Sequence, residues 1–263
     1  MTTVRDIETF LYAWAPRETA ESWDNVGLLV GRGDREVRRV LAALDVTPAV
    51  AAEAAELGAD LIVAHHPVMN VRWHEREMQT LRDDTRLGGL LTYLVRHDLS
   101  AICMHTNLDA AEGGVNDQLA KALGLTGTIP LNEEKIGRIG TLSCEKPLEQ
   151  FLHDVVKSLG CRGLRYRSGG RPVRRVAVGG GACGEYIPQA LAQGCDTFVT
   201  SDLRYNDFLD TQGLNLIDAG HFPTEDVVCA EVVRRLQKAF PDIRVSKSAV
   251  HHDAVQYYMI EGE

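Results

Sequence analysis

Two adjacent histidines, an aspartate and a His-x-x-x-Glu pair offer the most specific chemistry in this sequence. His65 and His66 close the apolar run of LIVAHHP, Asp109 follows AICMH within HTNLDA, and His221 and Glu225 stand four apart in HFPTE after LNLIDAG. In an open parallel sheet the loops beyond the strand carboxyl ends form the ligand-binding edge, so three strand ends would deliver these side chains to one place. Neighbouring strand residues point to opposite faces, but where a strand runs out both imidazoles can reach a cleft, each toward a different ion. His221 and Glu225 share one helix face, and a carboxylate there can bridge two cations. The reading is a site for two divalent metal ions with His65, His66, Asp109, His221 and Glu225 as ligands. Imidazole plus carboxylate suits zinc, manganese, iron, cobalt or nickel, and does not choose among them. His105, at the same strand end as Asp109, is the candidate catalytic residue, placed to orient a ligand or move a proton.

Other motifs compete for attention. His251 and His252 resemble a second metal pair, but nothing else in the terminal segment completes a site, and a solvated turn is expected. His74 and Glu75 fall in a polar loop after Pro67; a mobile rim is the functional reading, and plain solvent exposure is the commoner outcome. Gly179, Gly181 and Gly184 satisfy GxGxxG after a strand, with Asp202 at nearly the distance of a ribose-binding acid. A dinucleotide site would leave the histidines and carboxylates without a role. The preferred reading is that the glycines let backbone approach a phosphate or a facing element. Arg162, Arg165, Arg167, Arg171, Arg174 and Arg175, with Tyr166 among them, could meet a triphosphate or nucleic acid, although a solvated hairpin face is the commoner outcome.

The elements that must position these residues follow an α/β order. The start places Val4, Ile7, Phe10, Leu11 and Trp14 at helical spacing. VLAALDV, LIVA and AICMH read as strands, separated by a helix that Thr47-Pro48 begins and by one over Arg86 to His97. Asn116 is expected to cap DQLAKALGL. The pattern returns with RRVAV, CDTFVTSD and LNLIDAG, then an amphipathic helix through TEDVVCAEVVRRLQKAF and a last strand, IRVSKSAV. ELGADLIVAHH and AQGCDTFVTSD share an order of helix end, glycine, Asp and buried strand, which suggests duplication. The fold class is therefore α/β, as two related α/β domains with largely parallel or mixed sheets facing a central metal cleft. Residues 1–127 plus 220–263 would form the first, carrying the metal ligands, and 128–219 the second.

Composition narrows the function classes. Charged residues at 25% and hydrophobic ones at 44% describe an ordinary globular protein rather than a disordered one. The six cysteines show no CxxC pair, which argues against a zinc ribbon or disulfide framework and for a reducing, cytoplasmic setting. No run of about 18 apolar residues suggests a membrane span, and the start lacks the order of a signal peptide. The net charge of -9 disfavours general attraction to nucleic acid.

The segments ESWDNVGLLVG, LIVAHHPV, MHTNLDAAEGGVND, SDLRYNDFLD and LIDAGHFPTE, taken in order, resemble the dinuclear-metal-centre proteins of the Nif-three-like family, homologues of GTP cyclohydrolase 1 type 2. The resemblance spans most of the chain. It implies two α/β domains around a shared cleft, a toroidal homohexamer, and metal ligation at His65, His66, Asp109, His221 and Glu225, with Glu225 bridging and His105 close to the metals. The chain is too short for the domain that some members insert in the middle, and Tyr205-Asn206 stands where many relatives have Tyr-His. The implied function is a metal-dependent hydrolase acting on a nucleotide substrate, with GTP ring opening as the reaction. The alternatives are a phosphoesterase using the same two metals, or a non-enzymatic ring scaffold contacting protein or DNA.

Overall fold

The computed structural model describes residues 1–69 and 80–258; His74 and Glu75 lie outside them. The chain divides into two compact units, Met1–Glu112 with Cys229–His251, and Gly113–Val228 with His252–Glu263.

In the first unit, helix α1 (Val4–Trp14) buries Val4, Ile7 and Leu11 as one stripe, and Thr3 and Asp6 close its start as a reciprocal capping box. The chain continues through β1 (Gly27–Val30), β2 (Arg39–Ala43), α2 (Pro48–Glu56), β3 (Leu61–Ala64), α3 (Arg86–Arg96), β4 (Ser100–Cys103) and the short helix α4 (Thr106–Ala110). Thr47 caps α2 through its hydroxyl, with Pro48 in the first turn, as the sequence predicts. Strands β2, β3 and β4 are parallel, and β1 runs antiparallel along β4. Both β3 and β4 are buried at every position, so their apolar runs reflect helices and core rather than alternating faces.

The second unit contains α5 (Val115–Ala122), β5 (Thr126–Pro130), β6 (Arg138–Lys146), α6 (Leu148–Leu159), β7 (Arg165–Arg167), β8 (Val173–Val178), α7 (Ile187–Ala192), β9 (Thr197–Thr200), α8 (Tyr205–Asp210), β10 (Asn215–Asp218) and α9 (His221–Glu225). Its sheet order is β5-β6-β8-β9-β10-β7. The chain then re-enters the first unit along α10 (Val227–Ala239), and β11 (Arg244–Lys247) completes the order β1-β4-β3-β2-β11.

The two sheets contain the same unit. β8, β9 and β10 are parallel and β7 runs antiparallel along β10, repeating β2, β3, β4 and β1 in the same chain order. The sequence VRRV leads into β2, at residues 37–40, and opens β8, at residues 173–176. An aspartate before the next strand pins each opening: Asp60 accepts from the backbone N–H of Arg38 (2.8 Å) and Arg39 (3.0 Å), and Asp196 from that of Arg174 (2.9 Å) and Arg175 (2.7 Å). The mixed α/β class and the related halves thus agree with the sequence reading.

The edges between units differ from those drawn on sequence. Residues 113–127 belong with the second unit because Leu119, Ala120, Leu123 and Leu125 enter the core formed by Phe151, Val176 and Val199. Residues 220–228 follow β10 in the same unit, so α9 belongs to the second unit rather than the first. Asn116 does not cap α5; it lies inside the helix and its buried side chain accepts from the backbone N–H of Gly180 at 2.9 Å. The arginine-rich segment is not a hairpin partner of β8, since β7 crosses to the far edge and pairs with β10.

Candidate functional site

In the first unit, β3 runs out at His65. The backbone N–H groups of His65 and His66 both donate to the carbonyl of Leu44, at 3.1 and 2.9 Å, so the chain leaves the sheet there and two sequential imidazoles lie near each other. Their ring centroids are 5.0 Å apart, and His105 approaches to 5.1 Å from His65 and 5.6 Å from His66. His105 is the residue before α4, and Asp109 sits inside that helix rather than just past a strand end. The helical stagger returns Asp109 to the side of His105, with its carboxylate 3.7 Å from Nε2 of His65.

Each of these imidazoles is held by its Nδ1. His65 donates to the carbonyl of Met104 at 2.8 Å, His66 to Asp45 at 2.8 Å, and His105 to Asp24 at 2.9 Å. A proton committed to Nδ1 places the lone pair on Nε2, which makes Nε2 the ligating nitrogen and fixes the ring. Asp24 also accepts from the backbone N–H and the hydroxyl of Thr106, at 3.0 and 2.5 Å. Burial alone would raise Asp24, but its bonds to His105 and Thr106 outweigh that and hold it at about 2. It is therefore a fixed anion behind His105.

Ring nitrogens of His65, His66 and His105 lie within 4.8 Å of one another. Three nitrogens bound to one cation at about 2.1 Å stand at most roughly 4.2 Å apart, so a small closure would serve. Buried histidine and aspartate groups here can thus bind a metal ion, and the donor set fits a borderline divalent cation.

In the second unit, His221 opens α9 and Glu225 closes it, with Nε2 of His221 3.1 Å from the Glu225 carboxylate. Asp202, just past β9, accepts from the Nδ1–H of His221 at 2.5 Å. Burial works to lower the His221 pKa, but Glu225 and Asp202 together outweigh it and raise it to about 11. His221 in turn holds Asp202 below the usual carboxylate range.

The glycine loop after β8 seats this pair. Gly181 has a positive φ of 66°, and a Cβ there would stand 2.2 Å from Glu225 Oε1 and 3.2 Å from His221 Nε2. Its N–H donates to the hydroxyl of Thr224 at 3.1 Å, while its carbonyl accepts from Thr200 and Ser201. The apparent dinucleotide fingerprint is thus a backbone cradle for a carboxylate, and its supposed ribose acid, Asp202, orients a histidine instead. Of the readings of that loop made from sequence, approach to a facing element is the one that holds.

These segments match a known family over nearly the whole chain: the model of Duf34/NIF3, NGG1p interacting factor 3, covers residues 2–254. The chain belongs to the Duf34/NIF3 family. A GTP cyclohydrolase 1 type 2 homolog of Clostridium perfringens is 33% identical over 244 residues, covering 89% of this chain and 91% of the relative. One of the same name from Streptomyces coelicolor is 35% identical over 239 residues, 86% of this chain and 82% of its own. The crystal structure of a Bacillus cereus protein related to NIF3 superimposes with a TM-score of 0.89 at 25% identity, covering 98% of this chain and 99% of that one.

Within this Duf34/NIF3 chain several secondary readings change. His251 is not in a solvated turn: its side chain is buried, with Nε2 2.9 Å from Asp45 Oδ2. Arg165 pairs with Asp218 and donates to the Leu203 carbonyl at 2.9 Å, while Arg167 donates to the carbonyl of Leu209 at 2.7 Å. These two basic residues brace the edge strand. The six cysteines form no disulfide, and burial raises the thiols of Cys103 and Cys195, to about 12 and about 11, which removes them as nucleophiles. No described helix is long and apolar enough to cross a membrane.

Sequence reasoning passed over Asp24 and Asp45 as imidazole partners. The signal for Asp45 is weak but real: it lies two residues past the end of β2, as His66 lies two past the end of β3, at the same edge of neighbouring parallel strands. Asp24 precedes β1 and reaches a histidine far along the chain, and no spacing rule would find it.

Proposed function

We propose that this chain is a divalent-metal-dependent hydrolase that acts on a nucleotide, with GTP ring opening as its reaction. The observation that carries the reading is the uniform anchoring of four imidazoles through Nδ1, three of them to carboxylates, which commits Nε2 to ligation or proton transfer. The name shared by the Clostridium perfringens and Streptomyces coelicolor relatives supports the substrate class. His65, His66, Asp109, His221 and Glu225 would hold two cations, with Glu225 bridging. When bound, such cations supply Lewis acidity and make water a competent nucleophile near neutral pH. His105 carries the proton transfers in this reading: Asp24 accepts a hydrogen bond from its Nδ1–H, which leaves Nε2 to accept a proton from the nucleophile and return it to the leaving nitrogen. A ring-shaped homohexamer in the cytoplasm completes the proposal.

The test uses purified protein. Metal analysis should give about two ions per chain, and GTP turnover should vanish with a chelator and return with added metal. Metal-replete protein that leaves GTP intact but cleaves phosphomonoesters or phosphodiesters in parallel assays would replace the substrate assignment with the phosphoesterase. Light scattering of the same sample measures the assembly.

A further inference from the structure

The segment after β11 does more than end the first unit. Ser248 is tied to β2, its N–H donating to the carbonyl of Ala42 at 2.8 Å. Glu53 of α2 accepts from the Ser248 hydroxyl and, at 2.8 Å, from the Ala249 N–H. The N–H of His251 then donates to Ser248 Oγ at 3.2 Å, which folds the segment back and delivers the imidazole to Asp45. His251 Nε2 lies 2.9 Å from Oδ2 of Asp45 and 3.1 Å from its backbone nitrogen. One nitrogen cannot donate to the first and accept from the second. The shorter, charge-assisted contact to the carboxylate sets the tautomer, with the proton on Nε2. The other oxygen of the same carboxylate, Oδ1, holds Nδ1 of His66.

We infer that His251 is a positioning residue for the metal site: it locks the Asp45 carboxylate so that His66 presents Nε2 in one fixed direction. Asp45 has a side chain 40% exposed, so without a second partner it is at liberty to turn its carboxylate toward water and take the ring with it. Outer partners of ligating histidines are worth roughly 10- to 100-fold in metal affinity, and one acting through a carboxylate should fall near the lower end. This inference rests on the proposal that His66 ligates a metal.

The experiment titrates cobalt(II) into full-length protein and reads both affinity and the visible absorption bands, which report ligand geometry. His251→Leu should weaken cobalt binding about tenfold and shift the bands. His251→Gln, whose amide N–H can still donate to Oδ2, should restore most of both. In an Asp45→Ala background, His251→Leu should add nothing further. Circular dichroism and melting of the cobalt-free variants separate this from loss of fold, and if His251→Leu does not fold, the Gln variant in the two backgrounds carries the comparison. Wild-type affinity and spectrum in a folded His251→Leu protein, or equal losses in the Leu and Gln variants, would overturn the positioning role alone. A wild-type protein that takes up no cobalt would overturn the metal reading and this inference together.

Discussion

A single methyl group at residue 181 is the smallest change that reaches the His221–Glu225 pair. The Cβ of Gly181→Ala would meet a Glu225 oxygen at 2.2 Å, and the positive φ adds about 1 kcal/mol of backbone cost. The added methyl would displace the Glu225 carboxylate from its seat against the loop, so metal affinity should fall at least tenfold while chemical denaturation shows a loss of about 1–2 kcal/mol. An alanine variant with undiminished metal uptake would show that Glu225 is no ligand. The same pair sets a pH dependence. A histidine raised from about 6.5 stabilises the metal-free fold fully below that pH and loses this contribution as pH climbs toward 11. A cation must displace the same proton, so cobalt affinity should rise with pH, by up to about tenfold per unit between about pH 6 and 8. A flat profile over that range would remove His221 from the ligand set.

At the scale of elements, the repeated Asp60 and Asp196 pins decide how the parallel strands start. Removing either carboxylate leaves two backbone N–H groups at a strand opening without their acceptor, so Asp60→Ala and Asp196→Ala should each cost about 2–3 kcal/mol in denaturant unfolding. A cost under about 0.5 kcal/mol for either would mean water replaces the carboxylate. The strands that these pins hold were legible from sequence because burial on both faces makes them continuous apolar runs, as in LIVA and TFVT. The added strands were not. β7 is three residues long and largely exposed, and β5 is exposed throughout, so neither leaves a hydrophobic trace. The site divides in the same way. Histidines at strand ends were readable from position, whereas Asp24, Asp45 and the tail residue His251 act through contacts between segments far apart in the chain, which periodicity does not encode. The glycine loop misled because GxGxxG reports only that backbone must come close to something, and here that is a glutamate.

For the whole molecule, the proposal draws its ligands from two stretches of chain, His65, His66 and Asp109 in one compact unit and His221 and Glu225 in the other. A ligand that binds only the folded state adds roughly 2.7 kcal/mol at a hundredfold excess over its dissociation constant, and that stabilisation appears wherever the ligand's contacts must break for the chain to open. Hydrogen exchange with and without metal therefore shows which residues hold the ions that metal analysis only counts. If all five residues coordinate, loading should slow exchange in α4 and at the end of β3 and, by a comparable factor, in α9 and the glycine loop at 179–181. If only the imidazoles of the first unit hold a cation, protection should stop at the segments around His65, His66 and His105, with α9 exchanging as before. The second outcome would leave His221 and Glu225 as an ion pair braced by Asp202, and would reduce the proposed two-metal chemistry to a mononuclear site.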